Sequence, residues 1–157
     1  MPLITEVRGS FLSLVESGNI RYQCLPAAVV PIADDAAWDE LFAAAGAPSA
    51  TLPCWLCGFA YSIATGLVAE AVLLVDLGYG GVDGAAVAAT TVLLTNWQVA
   101  ISAGAAAVGP TSHPSERLPF PVRIPPAQRM AARIASSPTG TVAFTSFRAI
   151  LATAVGT

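Results

Sequence analysis

No lysine occurs anywhere in this 157-residue chain; all seven basic residues are arginine. There is one histidine, there are three cysteines, and only 11% of the residues are charged. Each scarcity closes a class of function. A net charge of −3 gives nucleic-acid binding no electrostatic support. The glycine-rich run from Gly78 to Gly84 is not followed by the lysine and helix start of a phosphate loop, and it reads as a hairpin turn. The lone histidine, His113, lies in Pro110-Thr111-Ser112-His113-Pro114-Ser115, a loop, and no nucleophile-elbow pattern stands near it. The odd cysteine count argues against a disulfide framework.

Cys54-Trp55-Leu56-Cys57 has redox spacing, but a thioredoxin-like pair opens a helix. Here it sits within an apparent strand, which turns the two sulfurs to opposite sides. A zinc site would have to recruit Cys24 and His113 as well, and nothing in the spacing argues for that. The adjacent acids Asp34/Asp35 and Asp39/Glu40 read as solvated groups rather than as a catalytic pair. No catalytic activity, cofactor or metal is therefore expected.

Charge is also missing by region. Residues 22–116 hold eight acids and no Arg or Lys, while residues 117–157 hold five arginines and no acid. Either the two parts lie side by side in one fold and neutralise each other, or an acidic patch on one copy meets a basic patch on the next.

What remains is strongly apolar, 55% of the chain. Leu52–Ala69 and Gly84–Ser115 carry no charge and are long enough to span a bilayer. They lack basic flanks and are broken by Pro53, Gly58, Gly66, Asn96, Gln98, Gly104 and Gly109. A small membrane protein is thus a minor alternative, and no membrane contact is expected. No signal peptide is apparent, because Glu6, Arg8 and Glu16 occupy the start without a basic-then-apolar run. A chain so poor in charge suits burial against partners.

The pattern of apolar residues has a period of two. Val122 and Ile124 face one way and Arg123 the other; Met130, Ala132 and Ile134 share a face, with Arg129, Ala131 and Arg133 opposite. Pro125-Pro126 breaks the ladder between these two strands, and a third strand follows within Thr141–Thr153. An earlier strand is expected at Leu52–Ala64, with Trp55, Cys57, Phe59, Tyr61 and Ile63 on one face, while Trp38–Ala45 reads either as a short helix capped by Asp34 or Asp35 or as a strand with Trp38, Glu40 and Phe42 on one face. A further strand at Glu70–Leu77 turns Ala71, Leu73, Val75 and Leu77 in and Asp76 out, and one or two more lie in Val87–Ile101. Ala103–Pro119 reads as a small-residue loop. The expected fold is all-β: an antiparallel sandwich, jelly-roll-like, of about eight strands. Residues 1–23 form an N-terminal arm or first strand, and residues 24–157 the sandwich.

Several segments of the second half resemble a family of small β-sandwich proteins found in the particles of tailed bacteriophages and gene transfer agents. The resemblance rests on Asp76-Leu77-Gly78, Phe120-Pro121-Val122-Arg123-Ile124-Pro125, Arg129-Met130-Ala131-Ala132-Arg133, and the alternating strand Val142–Leu151. It covers roughly residues 36–155, and Trp38–Tyr61 fits the preceding strands. The chain departs from the pattern at Pro126-Ala127-Gln128, where a glycine-containing turn would be expected. These motifs are structural, so the resemblance brings no active site.

It implies a virion structural protein, foremost a capsid decoration or cement subunit that contacts copies of itself and a major capsid or other virion protein. The alternative is a head-spike or tail-fibre module that binds a host receptor or glycan through Tyr79, Trp97 and Trp38. The expected partner interface comprises Phe11, Leu12, Leu14 and Val15 of the N-terminal segment, together with Arg123, Arg129 and Arg133. Burying the four apolar side chains is worth on the order of 6–10 kcal/mol before ordering costs, enough to anchor an arm on a neighbour or to add a strand to the protein's own sheet.

Overall fold

Eight strands make up nearly all the regular structure in a computed structural model of the chain, which describes residues 15, 18–26, 32, 37–63, 70–81, 89, 91–101, 115–137 and 144–154. They are β1 (Ile20–Leu25), β2 (Asp39–Phe42), β3 (Cys54–Ile63), β4 (Ala71–Tyr79), β5 (Thr91–Ile101), β6 (Ser115–Ile124), β7 (Met130–Ser137) and β8 (Phe144–Ala154). A 3-10 turn at Ala44–Gly46 follows β2. No described helix is long and apolar enough to cross a membrane. The two charge-free stretches contribute strands instead, β3 and β5.

The strands form two four-stranded sheets, ordered β1-β8-β3-β6 and β2-β7-β4-β5, with every pairing antiparallel. Successive strands alternate between the sheets, except where β4 passes to β5. This is the jelly-roll arrangement of two interlocked Greek keys. β1 straddles the boundary expected between arm and sandwich, since residues 20–25 all pair with β8.

Alternation explains the core. Leu73, Val75 and Leu77 of β4 and Met130, Ala132 and Ile134 of β7 face Leu56, Phe59, Tyr61 and Ile63 of β3 and Phe147, Ala149 and Leu151 of β8. Phe59 stacks on Phe147 at 5.2 Å between ring centroids and meets Trp97 of β5 edge-on at 6.5 Å, so one aromatic cluster ties the sheets together. Asp76 lies on the outer face of β4, as its place in the alternation requires.

Three departures from regular alternation matter. The register of β3 shifts between Leu56 and Gly58 against both of its neighbours. Cys54 and Leu56 therefore point into the core with Phe59, Tyr61 and Ile63, whereas Trp55, Cys57 and Ala60 join a second apolar cluster on the outer face. The expectation that Trp55, Cys57, Phe59, Tyr61 and Ile63 share one face is thus wrong, because a bulge inserts one residue and flips the phase. Gly58 permits this: a Cβ there would run into the carbonyl oxygen of Glu116 on β6.

β2 also shifts register, between Glu40 and Phe42, and consecutive Leu41 and Phe42 are both buried, so simple alternation of Trp38, Glu40 and Phe42 does not hold. Finally, Ser115–Pro119, expected as loop, belongs to β6. That strand lies at a sheet edge, and Pro119 and Pro121 fall in the stretch 118–121 where its register with β3 breaks, so they cost no ladder hydrogen bond.

Candidate interaction faces

The two outer faces of the sandwich carry the chemistry. On the second sheet, the acids of the middle segment meet the arginines of the last. Asp76 is buried and central: Arg133 Nε donates to its Oδ2 at 2.7 Å, Arg133 Nη2 lies 2.7 Å from the same oxygen, and the backbone N–H of Asn96 donates to Oδ1 at 2.6 Å. Local backbone sets this up. The β4–β5 register shifts between Val75 and Leu77, and Asn96 takes a left-handed φ of 52°, which turns its N–H toward Asp76. The guanidinium of Arg133 lies 4.8 Å from the ring centroid of Trp38, a cation–π contact. Arg129, only 1% exposed, has its Nε 3.4 Å from Glu40 Oε2. A cavity of about 250 Å³ opens beside this cluster, lined in part by Leu74, Asp76, Asn96 and Arg133.

The first sheet is different. Its outer face has an apolar centre of Trp55, Cys57, Ala60, Ile150 and Ala152, with Ile20 packed against it. Arg123 pairs across from Trp55 and Arg148 across from Ala60, and Arg117 pairs across from Gly58. Arg117 and Arg123 are exposed. None of these three arginines makes a salt bridge among the described residues. The half-buried Arg148 keeps its Nε without a hydrogen-bond partner there. Tyr22, 56% exposed, stands on β1 at this face. A cavity of about 360 Å³ runs between Tyr22, Cys57, Arg117, Leu118 and Pro121.

The expected interface residues are thus divided. Arg123 is exposed on the first sheet, whereas Arg129 and Arg133 hold the second sheet's own acids. Val15 is exposed; Phe11, Leu12 and Leu14 lie outside the described residues. Neutralisation within one protomer accounts for two of the five arginines of residues 117–157. Sequence reasoning grouped Arg148 with the other alternating arginines but passed over Arg117 and Tyr22. The available signal was spacing, since Ser115, Arg117 and Pro119 continue the period-two pattern of β6.

The aromatics expected to bind glycan are engaged elsewhere. Trp97 packs on Phe59, Trp38 lies beneath Arg133, and Tyr79 is half-buried against the core. Tyr22 and Phe120, the latter 58% exposed, are the outward aromatics among the described residues.

Two of the three cysteines behave as packed hydrophobes, while Cys24 is exposed. Cys54 faces the core and Cys57 the outer cluster, and all three are free thiols. Burial pushes the Cys54 thiol up to about 11. Burial raises Cys57 as well, opposed by the positive charge of Arg117. Among the described residues no three His, Cys, Asp or Glu side chains gather as a metal site would require. His113, Asp34 and Asp35 lie outside the described residues.

Compared with family models, curated proteins and solved structures, the chain matches none.

Proposed function

We propose that this chain is a virion structural protein: a decoration or cement subunit that sits on the shell of a tailed-phage-like particle and bridges its neighbours. The strand order carries the reading. The jelly roll is a recurrent building block of viral shells, though lectin domains and cupins use it too. A cupin-like metal site has little to draw on in a chain with one histidine. An unbalanced arginine face around an apolar centre suits a subunit that docks on acidic surface and gains from excluding water there. The N-terminal segment, with Phe11, Leu12 and Leu14, is the second contact in this reading.

The test is reconstitution. Purified chain is added to particles stripped of it, and bound protein is read by sedimentation across a salt series. Saturable binding that weakens with salt, and weakens further in Arg117→Gln/Arg123→Gln, supports the reading. Failure to bind shells would overturn it. A head-spike or tail-fibre module remains the second reading, favoured by the exposure of Tyr22 and Phe120, and binding confined to vertices or tails would select it.

A further inference from the structure

The cavity on the outer face of the first sheet brings three properties together. Tyr22 offers a ring that is more than half exposed. Arg117 offers a guanidinium with no salt bridge among the described residues, in a region of the chain that contains no acid from residue 117 onward. Leu118 and Pro121 add apolar wall, and Cys57 closes the inner side. At about 360 Å³ the cavity is at the small end of ligand sites, which sets the occupant at about one ring.

We propose that this cavity binds a small ring compound bearing one carboxylate. The ring lies against the Tyr22 face and the Pro121–Leu118 wall, and the carboxylate takes the Arg117 fork. A planar carboxylate accepts two parallel N–H bonds from a guanidinium, and a single arginine balances a single negative charge. Phosphate, which carries closer to two charges, would be left under-neutralised. The Cys57 thiol does not compete, because burial keeps it protonated and neutral. The second sheet offers no equivalent: the arginine and carboxylate beside its cavity are already paired to each other. The proposal does not depend on where in a particle, or whether in a particle, the chain resides.

The shared chemistry could come from a uronic-acid sugar or from an aromatic acid. Glucuronate, benzoate and glucose are therefore titrated separately into the full chain and followed by protein amide shifts and saturation-transfer NMR. Glucuronate or benzoate should saturate at millimolar concentration, with shifts centred on Tyr22, Arg117 and Leu118; which of them binds identifies the source. Arg117→Gln should weaken that ligand about tenfold or more, as loss of a charge-assisted pair does. Tyr22→Ala should weaken it several-fold, and Cys57→Ala should leave affinity within about twofold. Equal binding of glucose, no saturation by either acid, or unchanged affinity in Arg117→Gln would overturn the assignment. Tyr22→Phe, which keeps the ring, guards against reading a folding defect as lost contact.

Discussion

Arg129 and Arg133 show how much the environment of a single residue decides. Both read from the sequence as lying on the strand face opposite Met130, Ala132 and Ile134 and as part of a partner interface; the alternation holds, but each is turned onto an acid of its own sheet. Pattern could not show what lies opposite, because Glu40 and Asp76 stand far away in the chain. Asp76 is buried, and Arg133 and the Asn96 N–H supply the partners of its two carboxylate oxygens. Asp76→Asn should lower unfolding free energy by about 2–3 kcal/mol in urea titration, the cost of breaking a charge-assisted pair in a dry setting. Arg129→Ala should cost about 3 kcal/mol, since it leaves a cavity and strips Glu40 of its counter-charge. Arg123→Gln, at an exposed site, should stay within about 0.5 kcal/mol of the parent. A flat result across all three would mean that the acidic and basic segments do not neutralise each other within the protomer.

Cys54 adds a pH dependence. Its folded thiol titrates near 11, against 9.0 for the unperturbed group, so above pH 9 the unfolded chain gives up its proton first. The unfolded state then binds fewer protons, and stability falls as pH rises. The stabilisation is intact below pH 9 and lost progressively through about pH 11, on the order of 2–3 kcal/mol in all. Cys54→Ala should reduce that slope in an unfolding series between pH 8 and 11, leaving the part contributed by Cys57 and Tyr61, which burial also raises.

Among the elements, β3 is the most informative. All ten of its residues are buried, and the sequence showed this as a continuous apolar run. The bulge at Gly58 was not legible. Two-residue periodicity has no way to register an inserted residue, and glycine in a strand is compatible with several explanations. The consequence reaches the cavity, because Trp55 and Cys57 lie on the outer face, where Cys57 lines the cavity beside Arg117. Gly58→Ala should separate β3 from β6, since the clash is with backbone rather than with a side chain that could swing away. We expect a loss of at least about 3 kcal/mol and faster amide exchange in Ser115–Val122, with β4 and β7 little affected. Ala127 presents the opposite case. The turn after Pro125-Pro126 needs a residue at φ 52°, and alanine fills it where glycine was expected, held by its N–H to the Ser49 carbonyl at 3.1 Å.

At the scale of the molecule, the all-β sandwich of about eight strands was legible because three closing strands and several earlier ones alternate cleanly. Their pairing order was not, since alternation fixes faces and says nothing about neighbours. The candidate site was half-legible for the same reason. Its arginines stood out by segregation, but which of them lacked acids needed both sheets in place. The role proposed for the chain is occupation of a particle shell. Quantitative mass spectrometry of purified particles, with the major shell protein as internal standard, measures this most directly. A shell subunit gives a copy number in fixed proportion to the shell protein and comparable with it. A chain absent from particles, or present in a few copies confined to a vertex or tail, would contradict it.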